Sequence, residues 1–149
     1  MLTSTYFQDG GFLLPRDTWD GEDFSPKLHW RHPPQRTQSF VLIMEDPDAP
    51  ENQRTHWVLY DIPSQRTGLP EGSQGIGVSG QNDFDTVGYY GPSAAEEAGP
   101  HRYRFTLYAL DVASLELAPG AEREKVECAM QLHVLGETRL HAHYEHPRA

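Results

Sequence analysis

Two continuous apolar runs separated by an acidic corner bounded by prolines constrain this chain more than any other feature. Residues 39–63 read SFVLIMEDPDAPENQRTHWVLYDIP. Residues 40–44 carry no polar break, the pattern of a strand covered on both faces, and residues 57–60 repeat it. Between them Pro47 and Pro50 fix their own φ and push the residues before them out of the helical region. The backbone therefore holds Asp46 and Asp48 just past a strand end, with His56 entering the next strand close by. That arrangement predicts a polar pocket. The competing reading is a plain turn, in which the carboxylates cap nearby backbone N–H groups.

The rest of the chain can be placed around this pair of strands. Residues 12–14, before Pro15, predict a short edge strand. Residues 27–30 alternate and predict a half-buried one. From 64 to 91 the patterning dissolves into a long irregular loop with seven glycines. Its Gly75-x-Gly77-x-x-Gly80 matches a dinucleotide fingerprint in letters only, because no strand precedes it and no helix follows. Residues 101–111 return to period two. His101, Tyr103, Phe105, Leu107 and Ala109 share one face, while Arg102, Arg104, Thr106 and Tyr108 share the other as a solvated or sheet-covering face. His101 and Tyr103 thus stand at the mouth of an apolar strand face. A helix is expected over 119–132, with Glu122 and Glu124 in its first turn, Val126, Ala129, Met130 and His133 on one side, and Gly136 at its end. The alternation over 138–144 predicts a final strand.

A chain of 149 residues fits a single domain, 1–149. Its formal charge of −10 argues against nucleic acid or an anionic membrane as a partner. The lone Cys128 excludes an internal disulfide and suits a reducing compartment. No apolar run is long enough to span a bilayer, and the first ten residues lack the pattern of a secretory signal, so a cytoplasmic location is expected. Cys128 falls at helical spacing and is expected in the core. Trp19, Trp30 and Trp57 are expected to pack, with Trp57 also placed to wall the pocket beside His56.

The order D-P-D-A-P, H-W, then G-P and H-R-Y-x-F-x-L-Y-A-L-D resembles the phosphatidylethanolamine-binding protein family, more narrowly its bacterial branch of Raf kinase inhibitor-like proteins. The resemblance runs from Asp20-Gly21 and Ser25-Pro26-Lys27-Leu28-His29-Trp30 through Gly136, nearly the whole chain. It implies a mainly β fold, a two-sheet antiparallel β-sandwich-like core with one or two short C-terminal helices. It also implies a small ligand pocket at one end. The family's pocket positions fall on Asp46, Asp48, Pro50, His56, His101 and Tyr103, with the backbone from Gly91 to Ser93 as rim. Where the family has G-P-C-P-P, this chain has Gly91-Pro92-Ser93-Ala94-Ala95, which removes two φ restraints and a thiol. The family's cis bond, if carried over, would precede Pro47 or Pro50.

Two histidines, a phenol and aspartates suit a small anionic or phospho-headgroup ligand. Imidazolium and phenol would donate, and the carboxylates would orient the imidazoles and favour their protonation or accept from an ammonium. The expected role is a binding module that regulates a protein partner, with inhibition of a kinase or protease by protein interaction as the alternative. No catalytic residue, cofactor or metal is assigned. A Ser93–His101–Asp hydrolase lacks the G-x-S-x-G context, and His141, His143 and His146 read as surface histidines. A homodimer is expected from the resemblance alone.

Overall fold

The computed structural model describes residues 1–19, 21–47, 54–92 and 101–144. Among them the chain forms β1 (Leu2–Thr3), β2 (Gly11–Phe12), a 3₁₀ turn (Pro15–Asp17), β3 (Leu28–Trp30), β4 (Ser39–Asp46), β5 (Arg54–Pro63), β6 (Gly68–Leu69), β7 (Val78–Ser79), β8 (His101–Leu110), α1 (Arg123–Met130) and β9 (Val134–Tyr144). Two sheets result. The smaller has the order β1-β3-β6, and the larger β2-β9-β8-β4-β5-β7. All neighbours run antiparallel except β2, which joins β9 in parallel. The expected mainly β, two-sheet architecture is therefore what the chain adopts, with one short α-helix among the described residues, within the expected one or two.

The unbroken apolar run 40–44 is explained by its position. On one face Phe40, Leu42 and Met44 meet Leu28, Trp30 and Leu69 of the small sheet, together with Phe105, Leu107 and Leu140. On the other face Val41 and Ile43 pack with Val58, Tyr60 and Leu110 beneath Val126 and Met130 of α1. β4 is buried on both sides because it lies between a second sheet and a helix. β8 splits as its alternation predicts, since Tyr103, Phe105, Leu107 and Ala109 face the inter-sheet core.

Several expectations are corrected. The helix is shorter, Arg123–Met130, because only Val126 and Met130, four residues apart, have core to cover. His133 lies beyond it, paired to Asp111 at 2.8 Å. Gly136 does not end the helix but sits inside β9 opposite Ala109. Cys128 is exposed, since it lies on the helix face turned from the sheet. The glycine-rich loop contributes two short strands, one of them Val78–Ser79 from within the Gly75–Gly80 motif, where it pairs with β5. Trp19 is half exposed at 50%. Arg104 follows the sheet-covering one of its two readings, reaching Glu45 across the sheet face at 3.3 Å.

Candidate functional site

β4, β5 and β8 end together at one pole of the large sheet, and each delivers a polar residue to the inter-sheet side. On β4 the period of two that buries Phe40, Leu42 and Met44 carries Asp46 to that face, just before Pro47. On β8 the same period carries His101 and Tyr103. His101 Nδ1 lies 3.0 Å from Asp46 Oδ2. A carboxylate can only accept, so the ring proton sits on Nδ1 and Nε2 faces away from Asp46.

His56 reaches the site by an irregularity. The pairing runs Met44 with Trp57, then Glu45 with Thr55, so the register slips at His56. Such a bulge re-aims side chains. Thr55 bonds Arg123 on the helix side at 3.2 Å, whereas Trp57, two residues on, is in the inter-sheet core. His56 is thereby aimed at Tyr103, ring edge to ring face at 5.3 Å and 88°. Asp46, His56 and Tyr103 are 3%, 4% and 5% exposed, so the cluster is shielded from bulk water.

The protonation of His56 departs from expectation. Its Nδ1–H donates to Tyr90 O at 2.5 Å, and Tyr90 N–H returns a bond to His56 O at 3.0 Å. Burial pushes its pKa below the ordinary histidine value, outweighing the opposing pull of Tyr90 O and Asp46. At neutral pH His56 is thus a neutral imidazole whose Nε2 accepts. A ligand meeting it must bring a proton, as hydrogen phosphate, an ammonium or a hydroxyl does.

The sequence reading missed an aromatic wall beside His56. Phe84 lies 4.8 Å from the His56 ring and stacks on Tyr90 at 4.1 Å and 5°, and Trp19 follows at 4.9 Å from Tyr90. Arg54 covers the Phe84 ring at 5.5 Å. Asn82 places Phe84: its Oδ1 accepts from Phe84 N–H at 2.9 Å, and its Nδ2 donates to Gly88 O at 3.0 Å. The signal available in the sequence was the Asn-Asp-Phe-Asp turn, whose asparagine folds back on its own backbone.

The rim is anchored from a distance. Gly91 N–H donates to Asp23 Oδ1 at 2.9 Å, and Trp19 N–H to Pro92 O at 2.9 Å. Tyr89 Oη donates to Asp17 O at 2.5 Å. Asp17 itself is fully buried, and neither carboxylate oxygen has a hydrogen-bond partner among the described residues. Burial, reinforced by Glu71, pushes its pKa up to about 8, and burial raises Asp23 to about 6. Both carboxyls hold protons more tightly folded than unfolded. Their stabilisation is present below about pH 4 and is lost as pH rises through about 6 and then 8. His56 gives the opposite slope, losing stability as pH falls below the ordinary histidine range. Asp17→Asn, which keeps the shape without the charge, should therefore raise stability at pH 8 by on the order of 2 kcal/mol. Urea unfolding should show the gain shrinking toward pH 4 and the acid limb unchanged.

Of the eight candidate residues, Asp46, His56, His101 and Tyr103 converge, and Gly91 borders them through the Tyr90 strand of contacts. Asp48, Pro50 and Ser93 lie outside the described residues. No peptide bond among the described residues is cis, so the bond before Pro47 is trans. His141 and His143 turn outward, to Asp9 at 3.4 Å and to Gly10 O at 2.9 Å, and His146 lies outside the described residues.

Comparison with known proteins decides the relationship. The family model described as phosphatidylethanolamine-binding protein matches residues 3–145. This chain belongs to the phosphatidylethanolamine-binding protein family. A protein of Methanothermobacter thermautotrophicus named only UPF0098 protein is 46% identical over 93% of this chain and 94% of its own length. One of the same name from Aquifex aeolicus is 45% identical over 92% of this chain and 83% of its own length. Among solved structures, a putative family homologue from Chlamydia trachomatis, CT736, superposes with a TM-score of 0.92 at 33% identity, covering 98% of this chain and 97% of that one. Escherichia coli YbcL, described as a new member of the mammalian family, gives 0.89 at 26% identity, covering 99% and 98%. No helix among the described residues is long and apolar enough to cross a membrane.

Proposed function

We propose that the pole carrying Asp46, His56, His101 and Tyr103 binds a small anion or phospho-headgroup. The observation that carries the reading is the joining of two distant pieces of chain. The acidic corner after β4 meets the start of β8 in the Asp46–His101 contact, and the bulge in β5 sets His56 against Tyr103. Shielded imidazoles and a phenol beside a carboxylate bind a ligand that both gives and takes protons. Phosphoethanolamine does this with its ammonium and its phosphate, and the family's name points to the same headgroup. Neutral His56 favours such a zwitterion or hydrogen phosphate over a fully ionised anion. The chain's charge of −10 opposes multiply charged ligands in the same direction. Binding is the proposed role rather than turnover, and no feature among the described residues favours inhibition of a kinase or protease.

Titration of the 15N-labelled protein with phosphoethanolamine, phosphate and acetate tests the proposal. The ring signals of His56 and His101 and the amide of Tyr103 should move and saturate, with phosphoethanolamine tighter than acetate. His101→Ala should weaken phosphoethanolamine by at least about tenfold while leaving the folded spectrum intact. Signals at this pole that stay fixed with all three ligands would reject it.

A further inference from the structure

The opposite pole of the same sheet carries a second hollow that the headgroup site does not use. From His101 to Ala109, β8 runs eight residues at about 3.3 Å each, so the two poles are about 26 Å apart. At the far pole a cavity of about 190 Å³ opens over Trp30, Phe40, Leu107 and Ala109. It is continuous with a wider groove of about 880 Å³, the two sharing Met1, Trp30, Arg31, His32 and Pro33. One arm is thus floored by apolar side chains. The other is lined by His29, Arg31, His32 and Arg66 with hydroxyl residues such as Thr3 and Ser64.

The charge of the wider arm is the telling feature. The chain has 22 Asp and Glu against 12 Lys and Arg. Yet none of the eleven residues lining this arm is acidic. Among the described residues no carboxylate pairs with Arg31, Arg66, His29 or His32. The apolar arm has one acid at its edge, Glu137, and it is engaged with Arg139 at 3.4 Å. Arg66 is held in place by donating to Gly68 O at 3.1 Å, and Trp30 Nε1–H by donating to Arg66 O at 3.0 Å. His32, directly before Pro33, stands at φ 54, a region that a residue preceding proline rarely occupies. Strained backbone of this kind gathers where a binding surface is shaped.

From this we propose that the groove binds a small carboxylate bearing an apolar ring or short chain. The carboxylate meets the Arg31–Arg66 arm, and the apolar part enters over Ala109 and Leu107. The volume of the apolar arm fits a ring or a few methylenes, not a long acyl tail.

The test uses the full chain and 4-phenylbutyrate as probe. In 15N-resolved spectra the Trp30 indole N–H and the amides of Arg31 and Ala109 should move together and saturate, with a Kd on the order of 1 mM for a ligand of this size. The Trp30, Arg31 and Ala109 shifts should persist with the same Kd when the protein is first saturated with phosphoethanolamine, which separates this site from the headgroup site whatever carboxylates do there. 4-Phenylbutanol, lacking the charge, should bind about tenfold more weakly, and Arg31→Glu should weaken 4-phenylbutyrate by at least as much. Equal binding of the alcohol, an unaffected Arg31→Glu variant, or no movement at Trp30 would each overturn the proposal.

Discussion

Glu45→Ala should lower the free energy of unfolding by about 3 kcal/mol. The Glu45 side chain is 3% exposed and its two oxygens serve two arginines, Arg104 at 3.3 Å and Arg123 at 3.1 Å. The two arginine side chains are themselves about four-fifths buried, at 20% and 19% exposed. Removing the carboxylate takes from Arg104 its one carboxylate partner among the described residues and leaves Arg123 with Thr55 and the exposed Glu127, in a poorly solvated layer. Because Arg123 opens α1 and Glu45 lies on β4, the loss should also loosen the helix. Equilibrium urea unfolding measures the first effect, and amide exchange at Val126 and Met130 the second. A loss under about 1 kcal/mol would mean that water reaches the arginines in the folded state.

Gly91→Ala should cost about 2 kcal/mol and abolish phosphoethanolamine binding in the concentration range that saturates the unmodified protein. A Cβ at Gly91 would stand 2.2 Å from Asp23 Oδ1, 2.9 Å from Asp17 O and 3.1 Å from Thr18 Cα. Two of these three are backbone, so the clash cannot be relieved by a side-chain rotation alone. The Asp17–Asp23 turn and the Gly91–Pro92 rim must separate, carrying Tyr90 and hence His56 with them. Thermal unfolding and the phosphoethanolamine titration read the two consequences. A variant that keeps full stability but loses binding, or the reverse, would show that the rim and the turn are not coupled.

How far the site could be read in advance depends on which residues obey a period. Asp46, His101 and Tyr103 continue the alternation of β4 and β8, so their common face follows from counting by twos. His56 does not: the register slip beside it is a tertiary accommodation between strands, and no local composition announces it. The same holds for Asp61, whose φ of 53 marks a second slip in β5. The aromatic wall depends on Asn82, whose folded-back side chain joins residues that show no common pattern. Cys128 differs from its expected core position because helical spacing says which residues share a face but not how wide the covered face is. With only Val126 and Met130 covering the sheet, Cys128 falls outside. At His56 the neighbouring aspartates suggest attraction for a proton, whereas its burial has the larger effect.

The joining of the acidic corner to the start of β8 into one binding site is tested most directly by a crystal structure grown with phosphoethanolamine. The headgroup should lie among Asp46, His56, His101 and Tyr103, with a phosphate oxygen within about 3 Å of an imidazole Nε2. A headgroup seated elsewhere, or side chains filling the space between those four residues at saturating ligand, would contradict it.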